Sequence, residues 1–399
     1  MSQGVRRAVQ GGGFLFAAMM LVNVFNYGYA VVLGRLFGPV QYGAYASFTS
    51  LFLLISLLPL TFQQVGARYA ATGQSIVGSA VRLGWLSGTA LALVLVGGAF
   101  WLGPVLNLPA LWLVALGIVA PIYVWTGVLR GEAQGRQNFQ GFGVNMILEH
   151  AVKILLTPLA LLALPGASGA VLATLAALPF TTLHLRRYHP ARLEESPHRR
   201  EAVKYALPVL SNLAAQAVII NSDVLMVKAF LPAHEAGIYA AVAILGRVVF
   251  YSSWAVGTAL FPLVSSRQGD GASPRKLLWI ALAVVGVISG GVTLVCALAP
   301  QFVLGLLFGA AYLEGAPLVG AYALFTTFYA LSNVISNHYL ALGRHGLGYL
   351  PIFGAIAQVV LIALFHDTLQ EVIWSQLVAK GALLLLSVAA IFIYERRRN

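Results

Sequence analysis

The sequence has few charged residues and almost no cysteine. Asp, Glu, Lys and Arg together make up 9% of its 399 residues, whereas soluble domains carry roughly a quarter. Because 59% of the residues are apolar and so few charges remain to cover a wet surface, a soluble globular protein is excluded. The single cysteine, Cys296, excludes a disulfide framework and a cysteine metal site. The composition predicts a polytopic membrane protein.

Signatures of enzymatic chemistry are missing as well. The sequence contains no DxD motif, no nucleotide-binding loop, no metal-ligand spacing and no large polar insertion. A membrane-embedded glycosyltransferase or polymerase is therefore disfavoured, and we expect neither catalysis, a metal nor a cofactor. The net charge of +12 would suggest a nucleic-acid partner in a soluble chain. In a membrane protein the Lys and Arg side chains are instead assigned one by one to loops or to spans, and no nucleic-acid partner is expected.

Twelve stretches are apolar and long enough to cross a bilayer, which needs about 20 residues per helix. The predicted spans, numbered helix 1 to helix 12 in chain order, are 11–33, 43–60, 83–102, 110–129, 142–164, 167–185, 206–230, 237–264, 277–299, 319–342, 347–365 and 372–394.

The distribution of Lys and Arg predicts the orientation, because cytoplasmic loops collect these residues. With twelve spans, nineteen of the 24 Lys and Arg fall on the side of the N-terminus, two on the opposite side and three within spans. Both termini are therefore expected in the cytoplasm. A basic cluster at 186–204 is expected to set topology and to contact anionic membrane lipid.

An internal repeat predicts two lobes. RLFGPVQYGAYA at 35–46 aligns with KAFLPAHEAGIYA at 228–240, and AQGR at 133–136 aligns with ALGR at 341–344. Six spans separate the copies, so the halves share one orientation and are related by a pseudo-two-fold axis along the membrane normal. We expect an N-terminal six-helix lobe at 1–185, a basic linker at 186–205 and a C-terminal six-helix lobe at 206–399, pseudo-symmetric around a central cavity.

Five segments, in order along the chain, resemble the polysaccharide flippase family of the multidrug/oligosaccharidyl-lipid/polysaccharide exporter superfamily. They are VLGRLFGPVQYGAYA at 32–46, QQVGARYAA at 63–71, NSDVLMVKAFLPAHEAGIYAAVAILGR at 221–247, LLFGAAYLEGAPLV at 306–319 and ALGRHG at 341–346.

The resemblance implies an alternating-access carrier in the bacterial cytoplasmic membrane. Its substrate would be an undecaprenyl-diphosphate-linked oligosaccharide, moved from the inner to the outer leaflet for cell-surface polysaccharide assembly. Coupling to H+ or Na+ and contact with polysaccharide assembly proteins are further expectations, with the membrane potential as an alternative source of energy. Drug exporters and flippases of lipid-linked peptidoglycan precursors share the scaffold, and a drug exporter is the alternative function.

Helix 8 carries a cation and aromatic residues along one face. Arg247, Tyr251 and Trp254 follow each other at steps of four and three residues. An arginine fork binds two phosphate oxygens, and aromatic rings stack on the apolar faces of sugars. The alternative is a structural arginine, paired with an acid on another helix, among ordinary packing residues.

Helix 5 places Glu149 and Lys153 one turn apart with His150 beside them. Glu149 and Lys153 can pair within the helix, which would neutralise the cost of burial. Alternatively Lys153 contacts phosphate, and Glu149, with His150, exchanges the coupling proton.

Helices 7 and 12 contribute further ionisable residues. Asp223 is a candidate for binding H+ or Na+, or for pairing with Arg247 or Lys228. Lys380 lies one turn from Gln376 and too deep in its span to snorkel easily, so we expect it to bind substrate.

Amide and aromatic side chains complete the candidates for substrate binding. Helix 1 contributes Asn23 and Tyr27, and helix 10 contributes Asn333 and Asn337. These side chains serve either as sugar contacts or as hydrogen bonds that hold helices together. The three spanning cations Lys153, Arg247 and Lys380 match or exceed the spanning acids, so an anionic substrate is favoured over the cationic drugs of the alternative.

Overall fold

The computed structural model of the chain describes residues 3–73, 76–187, 199–266, 274–342 and 349–396. All regular structure in these ranges is helical. The helices are α1 (Gln3–Ile55), α2 (Leu57–Ala71), α3 (Val77–Val105), α4 (Ala110–Gly135), α5 (Phe139–Ala163), α6 (Ala167–Arg186), α7 (Arg199–Phe230), α8 (Ala233–Ser266), α9 (Pro274–Leu298), α10 (Pro300–Phe308), a 3-10 helix (Ala310–Gly315), α11 (Ala316–Ala341), α12 (Leu350–Leu364) and α13 (Leu369–Arg396).

The long helix α1 contains two of the predicted spans, separated by a kink. Gly38 has a φ of 69° and a ψ of 177°, a conformation that side-chain-bearing residues rarely adopt. Pro39 follows directly and cannot donate the backbone hydrogen bond that would continue the ladder. The spans predicted at 11–33 and 43–60 therefore lie on either side of this kink.

Ten helical stretches within the described ranges are long and apolar enough to cross a membrane. The first, Gly13–Ala71, includes the kink and so contains two spans, and the shorter apolar helix Leu350–Leu364 matches the predicted span at 347–365. Counted in this way, the described residues hold the twelve predicted spans. The prediction of an all-α polytopic membrane protein is confirmed.

One predicted helix end differs from the structure, and one connection contains a helix that was not predicted. Helix α4 continues to Gly135, six residues beyond the predicted end at 129, and Glu132 and Arg136 form an ion pair at i, i+4 in this added part. The connection after α9 contains the short helix α10, which begins with a proline in its first turn and ends where Gly309 has a φ of 91°. Its nine residues are too few for a span.

The chain forms two compact units. The first comprises 1–37 and 48–214, and the second comprises 38–47 and 215–399. The segment 38–47 comes from the first half of the sequence but belongs to the second unit. Within that unit, Tyr42 packs its ring against Phe308 and Tyr312, and the Ser47 hydroxyl donates to the Val224 carbonyl at 3.4 Å.

Glycines bring helices into backbone contact in the first unit. Gly127, Gly131 and Gly135 recur every fourth residue of α4, and a methyl group at each would meet the backbone of α2. Small residues at this spacing are a common basis of helix association in membranes, where packing rather than water exclusion holds helices together. This close approach fixes the C-terminal part of α4, which carries Arg130, against α2.

Candidate functional site: two buried polar clusters

The first unit contains an ion pair between two helices. The Arg130 Nη2 of α4 lies 2.5 Å from Glu149 Oε2 of α5, and its Nε donates to Asn145 Oδ1 at 2.8 Å. The Asn145 amide nitrogen in turn donates to the Thr181 carbonyl of α6 at 2.8 Å. Glu149 thus has its hydrogen-bonding partner on a neighbouring helix, whereas pairing with Lys153 one turn away was one of the two roles expected from the sequence.

Lys153 lies against an aromatic ring. Its ammonium group is 4.5 Å from the centroid of the Tyr29 ring of α1, and the residue is 7% exposed. The Tyr29 hydroxyl is 2.8 Å from Thr157 Oγ1, and the Thr157 hydroxyl donates to the Lys153 carbonyl at 2.7 Å. The tyrosine is therefore fixed by a hydrogen bond at one end of its ring while its face meets the cation.

His150 occupies the same helix as Glu149 and Lys153. Its Nδ1 lies 3.1 Å from the Met146 carbonyl of its own helix. One ring nitrogen is thereby engaged locally, and the other remains the atom through which the predicted role in proton exchange would operate.

The second unit holds a carboxylate between two tyrosines. Asp223 Oδ2 of α7 accepts hydrogen bonds from the Tyr239 hydroxyl of α8 at 2.9 Å and from the Tyr322 hydroxyl of α11 at 2.6 Å. Asp223 is completely buried, and its Oδ1 has no hydrogen-bond partner among the described residues. One carboxylate oxygen is saturated by donors and the other is open.

A lysine joins this carboxylate through an amide. Lys380 Nζ of α13 donates to Gln376 Oε1 at 2.8 Å, and Gln376 Nε2 donates to the Tyr239 hydroxyl. The Lys380 ammonium also lies 4.2 Å from the centroid of the Phe325 ring and is 5% exposed as a residue. The positive charge of Arg247 on α8 acts on both Lys380 and Tyr322.

The structure therefore brings the predicted residues together as two groups. Glu149, His150 and Lys153 lie in the first unit, and Asp223, Arg247 and Lys380 lie in the second. In each unit a buried ammonium group faces an aromatic ring and a carboxylate is held by hydrogen bonds. Ionisable groups at such depth are costly and mark functional sites in membrane proteins.

The predicted amide residues lie elsewhere on the helices. Asn23 and Tyr27 are partly exposed on α1, and Asn337 Nδ2 on α11 donates to Asn333 Oδ1 one turn earlier.

Two further candidates fall outside the described side chains. Tyr251 and Trp254 belong to α8, but their side chains lie in the stretch 251–274, which the structure does not describe at that level.

Sequence reasoning missed three residues of these clusters. Arg130 was counted among the nineteen Lys and Arg on the side of the N-terminus, because the predicted span stopped one residue before it. Tyr239 entered only as part of the aligned repeat segment 228–240. Nothing in the sequence singled out Tyr322, since its position beside Asp223 depends on the packing of α11 against α8.

The chemistry of both clusters suits the binding of ions. No group of three or more His, Cys, Asp and Glu that could hold a metal occurs in the described ranges. Buried ammonium groups provide donors for an anion such as a phosphate, and a buried carboxylate oxygen without a donor provides a place for a cation. The two clusters therefore combine buried donors that suit an anion with a buried acceptor that suits a cation.

Solved structures define the fold. A MOP superfamily transporter from Pyrococcus furiosus is 18% identical, with a TM-score of 0.69 over 98% of this chain and 95% of that one. The lipid II flippase MurJ in an inward closed conformation is 12% identical, with a TM-score of 0.76 over 96% and 87%. A eukaryotic MATE transporter, AtDTX14, is 16% identical, with a TM-score of 0.68 over 96% of each chain. The fold is that of the transporters of this superfamily.

A family model identifies the family of the chain. The model described as polysaccharide biosynthesis protein matches residues 8–268, so the chain belongs to that family. The family resemblance inferred from the sequence segments is confirmed. A comparison with curated proteins found no match.

Proposed function

We propose that the protein is an alternating-access flippase for an undecaprenyl-diphosphate-linked oligosaccharide. It would move this lipid from the inner to the outer leaflet of the bacterial cytoplasmic membrane, with both termini in the cytoplasm, for cell-surface polysaccharide assembly. The observation that carries the proposal is the pair of buried ammonium groups, Lys153 and Lys380, each held against an aromatic ring in one of the two units.

An anionic substrate would compensate the buried charge of these lysines. A buried ammonium is only partly compensated by an aromatic face, which contributes about 0.5–2 kcal/mol, and by a neutral amide. A diphosphate offers oxygens that accept from several donors at once. Lys153, Lys380 and Arg247 are therefore assigned to the diphosphate.

The sugars require a different kind of contact. Hydroxyl-rich rings are bound by amides that donate and accept and by aromatic faces that cover apolar C–H groups. We assign this role to Asn23, Tyr27, Asn333 and Asn337, together with Tyr251 and Trp254 of α8.

Transport would be coupled to the binding of a cation. Asp223 offers one carboxylate oxygen without a donor in a fully buried position, which is a suitable binding place for H+ or Na+. Glu149 and His150 form the second candidate, although the Arg130 ion pair already neutralises Glu149. Asp223 is therefore the preferred coupling group.

The comparisons support this assignment at the level of fold and family. The family name refers to polysaccharide biosynthesis, and MurJ is named as the flippase of a lipid, lipid II. Two features specific to this chain, the net positive charge of its spans and the small number of spanning acids, add the preference for an anionic lipid-linked glycan.

A cation-coupled multidrug exporter is the second candidate. It is favoured by Asp223, because an open buried carboxylate also suits a cationic drug, and MATE transporters are among the structures with this fold. Reconstituted vesicles separate the two functions. Fluorescently labelled lipid-linked oligosaccharide, probed by a glycosidase added outside, reports glycan movement between leaflets, and a fluorescent cationic drug reports export.

The proposal predicts protein-dependent exposure of the glycan, abolished by Lys380→Ala and preserved by Lys276→Ala, whose side chain lies exposed at the start of α9. Drug movement without glycan movement would replace the flippase assignment by the exporter.

A further inference from the structure

The hydrogen bonds between Lys380 and Asp223 run in a single direction. Lys380 donates to Gln376, Gln376 donates to Tyr239, and Tyr239 donates to Asp223. This direction is imposed by the lysine, because an ammonium group has three donors and no acceptor. If the Gln376 amide were reversed, its NH2 group would face the ammonium and its oxygen would face the tyrosine.

The orientation of the amide therefore decides what Tyr239 does. While Gln376 Nε2 donates to the phenol oxygen, the phenol hydrogen is directed to Asp223 Oδ2. A reversed amide would present an acceptor, and the phenol hydrogen would then have two acceptors competing for it. Lys380 thus holds the amide in the state in which the carboxylate keeps both of its tyrosine donors.

The groups around Asp223 determine whether a cation can bind to its second oxygen. Tyr239 on α8 and Tyr322 on α11 donate to Asp223, and Lys380 on α13 interacts with it electrostatically. The other charged groups on the packed helices are Arg247 of α8, which interacts with Tyr322 and Lys380, and Lys228, five residues further along α7. Its second oxygen, Oδ1, is buried and has no donor in the described part of the chain. A cation bound there would be repelled by the ammonium of Lys380 and attracted once that charge is neutralised.

We propose that Gln376 and Tyr239 are positioning residues that link anion binding at Lys380 to cation binding at Asp223. When Lys380 turns from Gln376 to an anionic ligand, the amide is released, Tyr239 ceases to be held as a donor to Asp223, and H+ or Na+ binds at Oδ1. This inference rests on the proposed function, in which the Lys380 ligand is the substrate diphosphate. By linkage the effect is reciprocal, so a bound cation strengthens anion binding by the same factor.

Two tyrosines on one oxygen provide a matched pair of variants. Tyr239 and Tyr322 both donate to Asp223 Oδ2, but only Tyr239 also accepts from Gln376. Tyr239→Phe therefore interrupts the link to Lys380, whereas Tyr322→Phe removes a donor of the same kind and leaves the link complete. Both substitutions keep the aromatic ring and remove a single hydroxyl, so their effects on packing are comparable.

The experiment measures the affinity of the purified full-length protein for inorganic pyrophosphate by calorimetry. One arm replaces N-methylglucamine by Na+ at fixed pH, and the other lowers the pH without Na+, so that the arms distinguish the two cations. We expect the cation to raise pyrophosphate affinity about fivefold or more in the wild type and in Tyr322→Phe, within the usual range of coupling between sites. In Tyr239→Phe and Gln376→Leu we expect less than a twofold effect, with pyrophosphate binding retained.

The outcomes separate this inference from the proposed function. The positioning role would be overturned by any of three results. The first is wild-type coupling in Tyr239→Phe and Gln376→Leu, the second is loss of coupling in Tyr322→Phe, and the third is the absence of a cation effect in the wild type. Unchanged pyrophosphate affinity in Lys380→Ala would instead overturn the assignment of Lys380 to the substrate. Coupling that disappears in Asp223→Asn supports Asp223 as the cation site.

Discussion

Gly43 and Gly237 lie backbone against backbone within the second unit, and they occupy equivalent positions in the internal repeat. A methyl group added at Gly43 would lie 2.7 Å from the Gly237 nitrogen, and one added at Gly237 would overlap the Pro39 carbonyl. The repeat motif thus meets its own copy. Neither position has room for a side chain, so glycine is required at both by the approach of the other copy.

Substitution at this contact should destabilise the protein. We expect Gly43→Ala and Gly237→Ala each to lower the free energy of unfolding by about 1–3 kcal/mol, the usual cost of overpacking, with the larger effect at Gly237. The melting temperature in detergent measures this. Gly97→Ala, on α3 with no atom near the added methyl group, serves as the control and should melt at or above the wild-type temperature. Unchanged melting of Gly237→Ala would contradict the close contact.

The Arg130–Glu149 pair should stabilise the first unit. Arg130→Gln leaves a mostly buried carboxylate without its partner, and we expect a loss on the order of 3 kcal/mol. Arg130→Lys can keep the charge but cannot reach both Glu149 and Asn145 with one nitrogen, so an intermediate melting temperature is expected.

A double variant completes this cycle. Arg130→Gln combined with Glu149→Gln removes both charges, and it should be less destabilised than the sum of the two single variants. If the losses are simply additive, the two side chains do not act as a pair.

The buried cations should be required for transport but not for insertion. Alanine at Lys153, Arg247 or Lys380 is expected to reduce lipid-linked glycan export at least tenfold, since each loses a charged donor to the diphosphate. Membrane levels of each variant should match the wild type by immunoblot. Lys276→Ala is the matched control, and full surface-glycan levels in both Arg247→Ala and Lys380→Ala would refute the cationic site.

The ring of Tyr29, rather than its hydroxyl, should matter for Lys153. Tyr29→Phe keeps the aromatic face 4.5 Å from the ammonium and loses the hydrogen bond to Thr157. We expect near wild-type transport in this variant and a several-fold reduction in Tyr29→Leu, because a cation–aromatic contact contributes about 0.5–2 kcal/mol. Concentration-dependent transport rates in vesicles measure both. Equal activity of the two variants would show that the ring face has no role.

The fold was largely predictable because its signals repeat along the sequence. Each span is about 20 apolar residues, and the break at 38–39 is marked by a glycine followed by a proline. The short helix α10 left no such signal, since an apolar segment of nine residues is consistent with a loop, a strand or part of a longer span.

The candidate site was only partly predictable. A charged residue inside an apolar stretch is conspicuous, which is why Glu149, Lys153, Asp223 and Lys380 were found. Their partners were not, because a tyrosine such as Tyr322 is as common in packing as in hydrogen bonding. Which side chains meet depends on how helices distant in sequence pack, and helical spacing within a single span does not contain that information.

The central claim, that this protein moves a lipid-linked glycan across the membrane, is tested most directly by deleting its gene and analysing the membrane lipids by leaflet. We predict that undecaprenyl-diphosphate-linked glycan accumulates on the cytoplasmic leaflet while the corresponding surface glycan disappears, and that the wild-type gene restores both. Normal surface glycan without accumulation of the lipid-linked precursor, accompanied by altered sensitivity to cationic drugs, would contradict it.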